Sequence, residues 1–125
     1  MKEPVTLTLT LDPVTRDAVI ALVNERERQV VVEGWTRHND DNCLGGGLAE
    51  AASCYASAAA SYARDDLPGA LESRKWWPWS PKWWKPFASA TTLMPSLIRR
   101  HQKACLIKAG ALIIAELERL ARSQA

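Results

Sequence analysis

The chain has 125 residues, a formal net charge of +2, three cysteines and six tryptophans. This length suits one domain with one hydrophobic core. Three cysteines without close spacing argue against a disulfide framework and predict a reducing compartment. No apolar run is long enough to cross a bilayer, and the first residues lack the pattern of a signal peptide. We therefore expect a cytoplasmic protein without membrane contact.

The charges are unevenly distributed along the chain. Residues 1–72 contain 12 acidic and 6 basic residues, whereas residues 73–115 contain eight basic residues and no acidic one. Such asymmetry predicts either an anionic partner or one half of the fold neutralising the other. The sequence leaves both readings open.

Residues 5–11 have apolar side chains at the odd positions and threonine at the even positions. This alternation is typical of a β-strand with one buried face. No second strong strand follows, and a lone strand leaves its backbone edges without partners. We therefore predict that the strand pairs with its copy in a homodimer. Pairing with an irregular segment is the alternative.

Helices are predicted for most of the remaining chain, which gives a mainly α fold of three or four helices. Asp12 and Pro13 are an N-cap and a first helical residue for a helix over about 13–33, which Gly34 ends. A second helix over about 46–64 has the contact stripe Leu48, Ala52, Tyr55, Ala59 and Tyr62. Pro95 opens the last helix, with 99–101 either at a bend or inside it. In that helix Gly110 is expected to receive a large side chain, for which a tryptophan of the preceding loop is a candidate.

This gives one domain, 1–125, with an N-terminal strand in 1–12 and a helical core in 13–125. A loop rich in tryptophan and proline, 70–94, is expected to wrap the helices.

Five tryptophans lie within nine positions, 76–84, and prolines at 78, 81 and 86 prevent a helix there. Indole faces stack on bases and arginines pair with phosphates, so a nucleotide, a nucleic acid strand or an acidic protein would suit this segment. The alternative is that Trp77, Trp79 and Trp84 are core, with Trp76 and Trp83 outside. The predicted binding residues are Arg74, Lys75, Trp76, Lys82, Trp83, Lys85, Arg99, Arg100 and Lys103.

Two further patterns offer chemistry. The carboxylates of Glu27, Asp40, Asp41 and Glu116 could hold a divalent metal over phosphates, as in all-α nucleotide pyrophosphohydrolases. We favour the alternative, in which Asp40 caps a helix or turn and Glu27 pairs with an arginine. Cys43, ahead of three glycines and a helix, is a candidate thiol nucleophile; a simple buried or exposed cysteine is favoured. We thus predict no catalytic residue, metal or cofactor.

Several motifs occur together from residue 25 onward. They are Glu25-Arg26-Glu27-Arg28-Gln29, Glu33-Gly34-Trp35-Thr36, Asp40-Asp41, Leu48-Ala49-Glu50-Ala51-Ala52, Tyr55-Ala56, Trp77-Pro78-Trp79, Trp84-Lys85-Pro86, Arg99-Arg100 and the run from Lys108 to Leu120. In these motifs, over roughly residues 25–122, the chain resembles a family of small bacteriophage and prophage proteins, from which no activity carries over.

The chain departs from the family pattern after Gly-Trp-Thr. Where the relatives have His-Asp-Asp-x-His, this chain has Asn39-Asp40-Asp41-Asn42-Cys43, and Gly47 replaces a glutamate. Any metal or acid–base site is weakened by these changes, which favours binding over catalysis.

The function expected from this resemblance is that of a non-enzymatic phage accessory protein. It would bind and inhibit a host protein or nucleoprotein complex, such as a CRISPR defence system, through the nine predicted binding residues. One alternative is a nucleotide-binding protein or a metal-dependent nucleotide phosphohydrolase.

The other alternative is a DNA-binding regulator. The strand and the helix that follows it resemble the start of ribbon-helix-helix proteins, whose paired strands enter the major groove. That resemblance implies base contacts by Thr6, Thr8 and Thr10, although no arginine or lysine lies on their face.

Overall fold

The computed structural model describes residues 3–43, 45–84 and 95–123, and the mainly α prediction is confirmed. Its helices are α1 (Pro13–Val31), α2 (Arg37–Asp41), α3 (Gly47–Ala63), α4 (Leu67–Glu72) and α5 (Pro95–Ser123), with 3₁₀ turns at Ser73–Trp76 and Pro81–Trp83. The described chain thus has more helices than predicted. The additional ones, α2 and α4, are short and lie outside the predicted helices.

The predicted N-terminal strand is absent from the single chain. Residues 3–12 form no helix, turn or bend, and no β-strand occurs within the three described ranges. The side chains of Val5 and Leu7 are 89% and 75% exposed. The physical reason is that a strand needs a neighbour for its backbone hydrogen bonds, and the described chain supplies none. Pairing across a homodimer stays a prediction.

Helix α1 begins as predicted, and a turn of the chain follows its C-terminal end. The carboxylate of Asp12 accepts hydrogen bonds from the backbone N–H groups of Val14 (2.9 Å) and Thr15 (3.2 Å), as an N-cap does. The helix ends at Val31, and Gly34 then adopts a φ of +73°, which glycine adopts without steric cost. This turn lets the N–H of Trp35 donate to the carbonyl of Gln29 at 2.9 Å.

The core lies mainly between α3 and α5. All five residues of the predicted α3 stripe are buried, which confirms that prediction. They pack against Cys105, Ala109, Leu112 and Ala115 of α5. Small side chains on both helices permit this close approach.

Helix α1 packs against α5 at Gly110. A Cβ atom there would clash with the side chain of Leu22. The prediction that a tryptophan fills this place is therefore wrong for the described residues. Leu22 already occupies the space, and the described tryptophans of the 76–84 segment pack elsewhere, three of them against the α3–α5 core.

Helix α5 is continuous, so residues 99–101 lie inside one long helix. Only some of its periodically spaced apolar side chains are buried, because Leu106, Ile113 and Leu117 are 50–62% exposed. Among the described residues, no helix combines the length and apolar character that crossing a membrane requires.

Candidate binding surface

The tryptophan segment divides into an inner and an outer set. Trp77, Trp79 and Trp84 are half-buried and pack against the core, whereas Trp76 and Trp83 are 65% and 37% exposed. This division confirms the reading that the segment closes the core and also presents indoles to the outside.

Tyr55 of α3 is the main contact of the inner set. Its ring centroid lies 5.5 Å from that of Trp77, nearly perpendicular, and 4.8 Å from that of Trp84. The rings of Trp77 and Trp79 then meet edge to face at 5.3 Å. Such tilted and edge-to-face geometries are the favoured ones for aromatic pairs. The inner tryptophans therefore fix the segment against α3.

Short polar contacts shape the segment on either side of these rings. The hydroxyl of Ser73 is 3.1 Å from that of Ser57 in α3 and donates to the carbonyl of Gly69 at 3.0 Å. The indole N–H of Trp77 donates to the carbonyl of Ser80 at 3.1 Å. The half-buried ring of Trp77 thus satisfies its own donor locally.

A lysine side chain lies over the ring of each outer tryptophan. The Nζ of Lys75 lies 5.4 Å from the ring centroid of Trp76, and the Nζ of Lys82 lies 5.3 Å from that of Trp83. Both distances are within the range of a cation–π contact. These two pairs present a positive charge beside an indole.

The other predicted basic residues that the structure describes are also exposed, namely Arg74, Arg99, Arg100 and Lys103. Arginines outside 73–115 make seven ion pairs with carboxylates of the described residues. None involves Arg74, Lys75, Lys82, Arg99, Arg100 or Lys103. We call these six residues, with Trp76 and Trp83, the basic aromatic residues. Five carboxylates of residues 1–72 are thus paired with arginines that lie outside 73–115.

The structure does not bring all of these residues into one hollow. Lys75 and Trp76 line a hollow beside α3, Trp83 lines a second beside Trp35, and Lys103 lines a groove between α1 and α5. These three depressions have no lining residue in common. Arg74, Lys82, Arg99 and Arg100 line none of these three depressions, and Lys85 falls outside the described residues.

The hollow beside Trp83 contains residues that the sequence did not single out for binding. It measures about 360 Å³, and its walls include the indoles of Trp35 and Trp79 and the carboxylate of Glu33. The rings of Trp35 and Trp79 are 4.5 Å apart. Trp35 is separated in sequence from the other tryptophans. The glycine at position 34 is the one sequence signal for the turn that brings Trp35 to them.

Three of the four predicted metal ligands form ion pairs with arginines, and the four carboxylates do not come together. The Arg26 guanidinium donates to Asp40 at 2.5 Å and to Glu118 at 2.8 Å. In the described ranges, no three histidine, cysteine or acidic side chains are placed to hold a metal ion.

The remaining three candidates do not converge on that ion pair. Asp41 pairs with Arg122 at 2.8 Å, and Glu116 with Arg119 at 2.5 Å. Glu27 is exposed on α1. The expected pairing of Glu27 with an arginine of its own helix is not seen among the described residues; Glu25 has that role, bonded to Arg28 at 2.7 Å.

Asp40 is fully buried, which the capping interpretation did not anticipate. Burial raises the pKa of its carboxyl, and the adjacent Arg26 opposes that effect. The α2 cap is instead Thr36, whose hydroxyl accepts from the backbone N–H of Asn39 at 3.4 Å. Asp40 therefore joins α2 to α1.

The thiols are not activated. Burial is the main cause that raises the pKa of Cys43, and the nearby Asp40 adds to it. Burial also raises the pKa of Cys54, and that of Cys105 to about 11. A nucleophilic cysteine needs the opposite shift, so the geometry gives no support to the thiol hypothesis.

Comparisons with protein families, with curated proteins and with solved structures find no match to this chain.

Proposed function

We propose that this chain is a non-enzymatic phage or prophage accessory protein that binds and inhibits a host component. The target would be a protein or nucleoprotein complex in the host cytoplasm, such as a CRISPR defence system. The chain would act as a homodimer and contact its target through the basic aromatic residues.

One observation carries this proposal: the six basic residues make no ion pair within the described chain. Their charge is thus available to an anionic partner, and interfaces concentrate binding energy in tryptophan and arginine side chains. The arginine-paired carboxylates and the thiols of raised pKa favour binding over catalysis, as the proposal requires.

The proposal is tested by the plating of a phage on bacteria immunised against it by CRISPR. Expression of the chain should raise the plaque count, and the double variant R99A/R100A should lower that gain by about tenfold or more. The control is R16A/R64A, which removes the same charge from two exposed residues of the acidic half. Equal plating with both variants would contradict a role for the basic residues.

Capture of host proteins on the immobilised chain would identify the target. The proposal predicts that captured proteins are lost with R99A/R100A and retained with R16A/R64A. If plating is unchanged against every defence system tried and nothing is captured, the inhibitory function is wrong. A rise in melting temperature with nucleotides and Mg²⁺ or Mn²⁺ would instead support the nucleotide-binding alternative.

A DNA-binding regulator remains a second candidate, because the threonine face of residues 5–11 is open to solvent. It predicts binding to duplex DNA that weakens steeply as salt increases, which is the mark of phosphate contacts. Gel shifts at two salt concentrations measure this directly. Absence of a shift at low salt would exclude it.

A further inference from the structure

The N-terminal segment leaves a regular apolar row uncovered. Val5, Leu7, Leu9 and Leu11 are 89%, 75%, 58% and 39% exposed, so exposure falls steadily towards the start of α1. Isolated exposed leucines are common on proteins, but a contiguous row is a mark of an interaction site. The backbone of the segment also makes no hydrogen bond to the described chain before Asp12.

The sequence of this segment complements itself in the antiparallel direction. When two copies align with Thr8 opposite Thr8, Leu7 faces Leu9 and Val5 faces Leu11. Residues 6 and 10, both threonine, also face each other. All apolar side chains then lie on one face of the two-stranded ribbon and all threonines on the other. Residues 4–11 carry no charge, so nothing repels the second copy.

An apolar groove lies where this ribbon would meet the helices. It runs between α1 and α5, measures about 440 Å³ and begins at Val14, three residues beyond Leu11. Ala18, Leu22, Leu106 and Ile107 form its apolar walls, and the charged residues Asp17 and Lys103 also line it. In the alignment centred on Thr8, the copy's Val5 stands across from Leu11. The copy's strand therefore starts beside the mouth of this groove.

We propose that a second copy of this chain occupies both sites. Residues 5–11 of the two copies form an antiparallel ribbon centred on Thr8, and its apolar face covers the groove between α1 and α5. A copy suits this surface better than an unrelated protein, because it supplies the matching apolar row in the matching register. This inference rests on the homodimer of the proposed function and names its interface. It is independent of any host target.

Cysteine cross-linking tests the register. In a C43S background, T8C should give a disulfide-linked dimer under mild oxidation, because residues facing each other across antiparallel strands lie within disulfide range. T6C alone should cross-link at least about tenfold less, and an equal mixture of T6C and T10C chains should restore the dimer. Equal cross-linking of T6C and T8C would overturn the register. Sedimentation of the unmodified chain as a monomer at micromolar concentration would overturn the dimer.

A pair of arginine substitutions tests the groove. A18R places a charge in the groove and should weaken dimerisation by about tenfold or more, measured by sedimentation equilibrium. A60R, at an exposed position of α3 outside the groove, should leave dimerisation unchanged. Far-ultraviolet circular dichroism confirms that both variants fold. If A18R dimerises as well as A60R, the ribbon does not cover the groove. Because these measurements need no host component, their failure is distinguishable from failure of the inhibitory function.

Discussion

The buried guanidinium of Arg26 joins three helices, α1, α2 and α5. Only 9% of Arg26 is exposed, and its two hydrogen bonds reach Asp40 of α2 and Glu118 of α5. A buried charge without a partner is costly, whereas an exposed ion pair contributes little. Two neighbouring aspartates of α2 fall on the two sides of this rule, since Asp40 is buried and Asp41 is exposed.

We therefore expect D40A and D41A to differ strongly. D40A should lower the free energy of unfolding by about 3 kcal/mol, because it leaves Arg26 buried with one carboxylate fewer. D41A should lower it by less than about 1 kcal/mol, because the pair of Asp41 with Arg122 is exposed. Urea denaturation of both variants measures the difference. Equal losses would mean that the Arg26 contacts do not stabilise the fold.

The thiol of Cys43 allows a prediction on reactivity. A raised pKa lowers the fraction of thiolate at any given pH, and the thiolate is the nucleophile. At pH 8, Cys43 should therefore react with iodoacetamide more slowly than free glutathione does. The two buried thiols, Cys54 and Cys105, should react only after unfolding. Mass spectrometry at timed intervals follows each site, and alkylation of Cys43 faster than glutathione would revive the nucleophile hypothesis.

At the scale of the helices, the sequence predicted an element correctly where that element depends only on its own residues. Asp12 and Pro13 marked the start of α1, and the apolar period of 46–64 gave the buried face of α3. Helix α2 was missed because it is only five residues long. The partner of Gly110 was missed because it depends on which helix approaches α5, which no local pattern specifies.

The same distinction applies to the candidate surface. The division of the tryptophans was among the predictions, since a segment so rich in indole must either close a core or bind a partner. The place of Trp35 could not be predicted, because it depends on the Gly34 turn bringing the end of α1 to Trp79. The strand over 5–11 was predicted from its local alternation, but a strand also needs a neighbour for its hydrogen bonds, and the described chain supplies none.

The contact of Leu22 with Gly110 predicts how α1 is held on α5. G110L would force α1 away from α5, and overpacking of this kind costs about 1–3 kcal/mol. A121L, at an exposed position of the same helix, adds the same side chain to solvent and should change stability by less than about 0.5 kcal/mol. Thermal unfolding compares the two variants. A loss that is equal in both would mean that the Gly110 contact does not matter.

At the scale of the whole molecule, the two readings of the charge asymmetry are separated by the ion pairs. Carboxylates of the acidic half pair with Arg16, Arg26, Arg28 and Arg122. The six basic residues Arg74, Lys75, Lys82, Arg99, Arg100 and Lys103 take no part in these pairs, whereas the charges of Glu25 and Glu33 act on Lys108. The six exposed cations make the surface more strongly basic in places than a net charge of +2 suggests.

This local charge predicts retention on a polyanion. The chain should bind heparin at low salt and elute as sodium chloride screens the contacts, since exposed charges interact over only about 10 Å at 0.1 M salt. R99E/R100E should elute at clearly lower salt than R16E/R64E, although both variants have the same net charge. Elution of the two variants at the same salt concentration would show that net charge alone governs binding. The position of the cations would then have no bearing on the choice of partner.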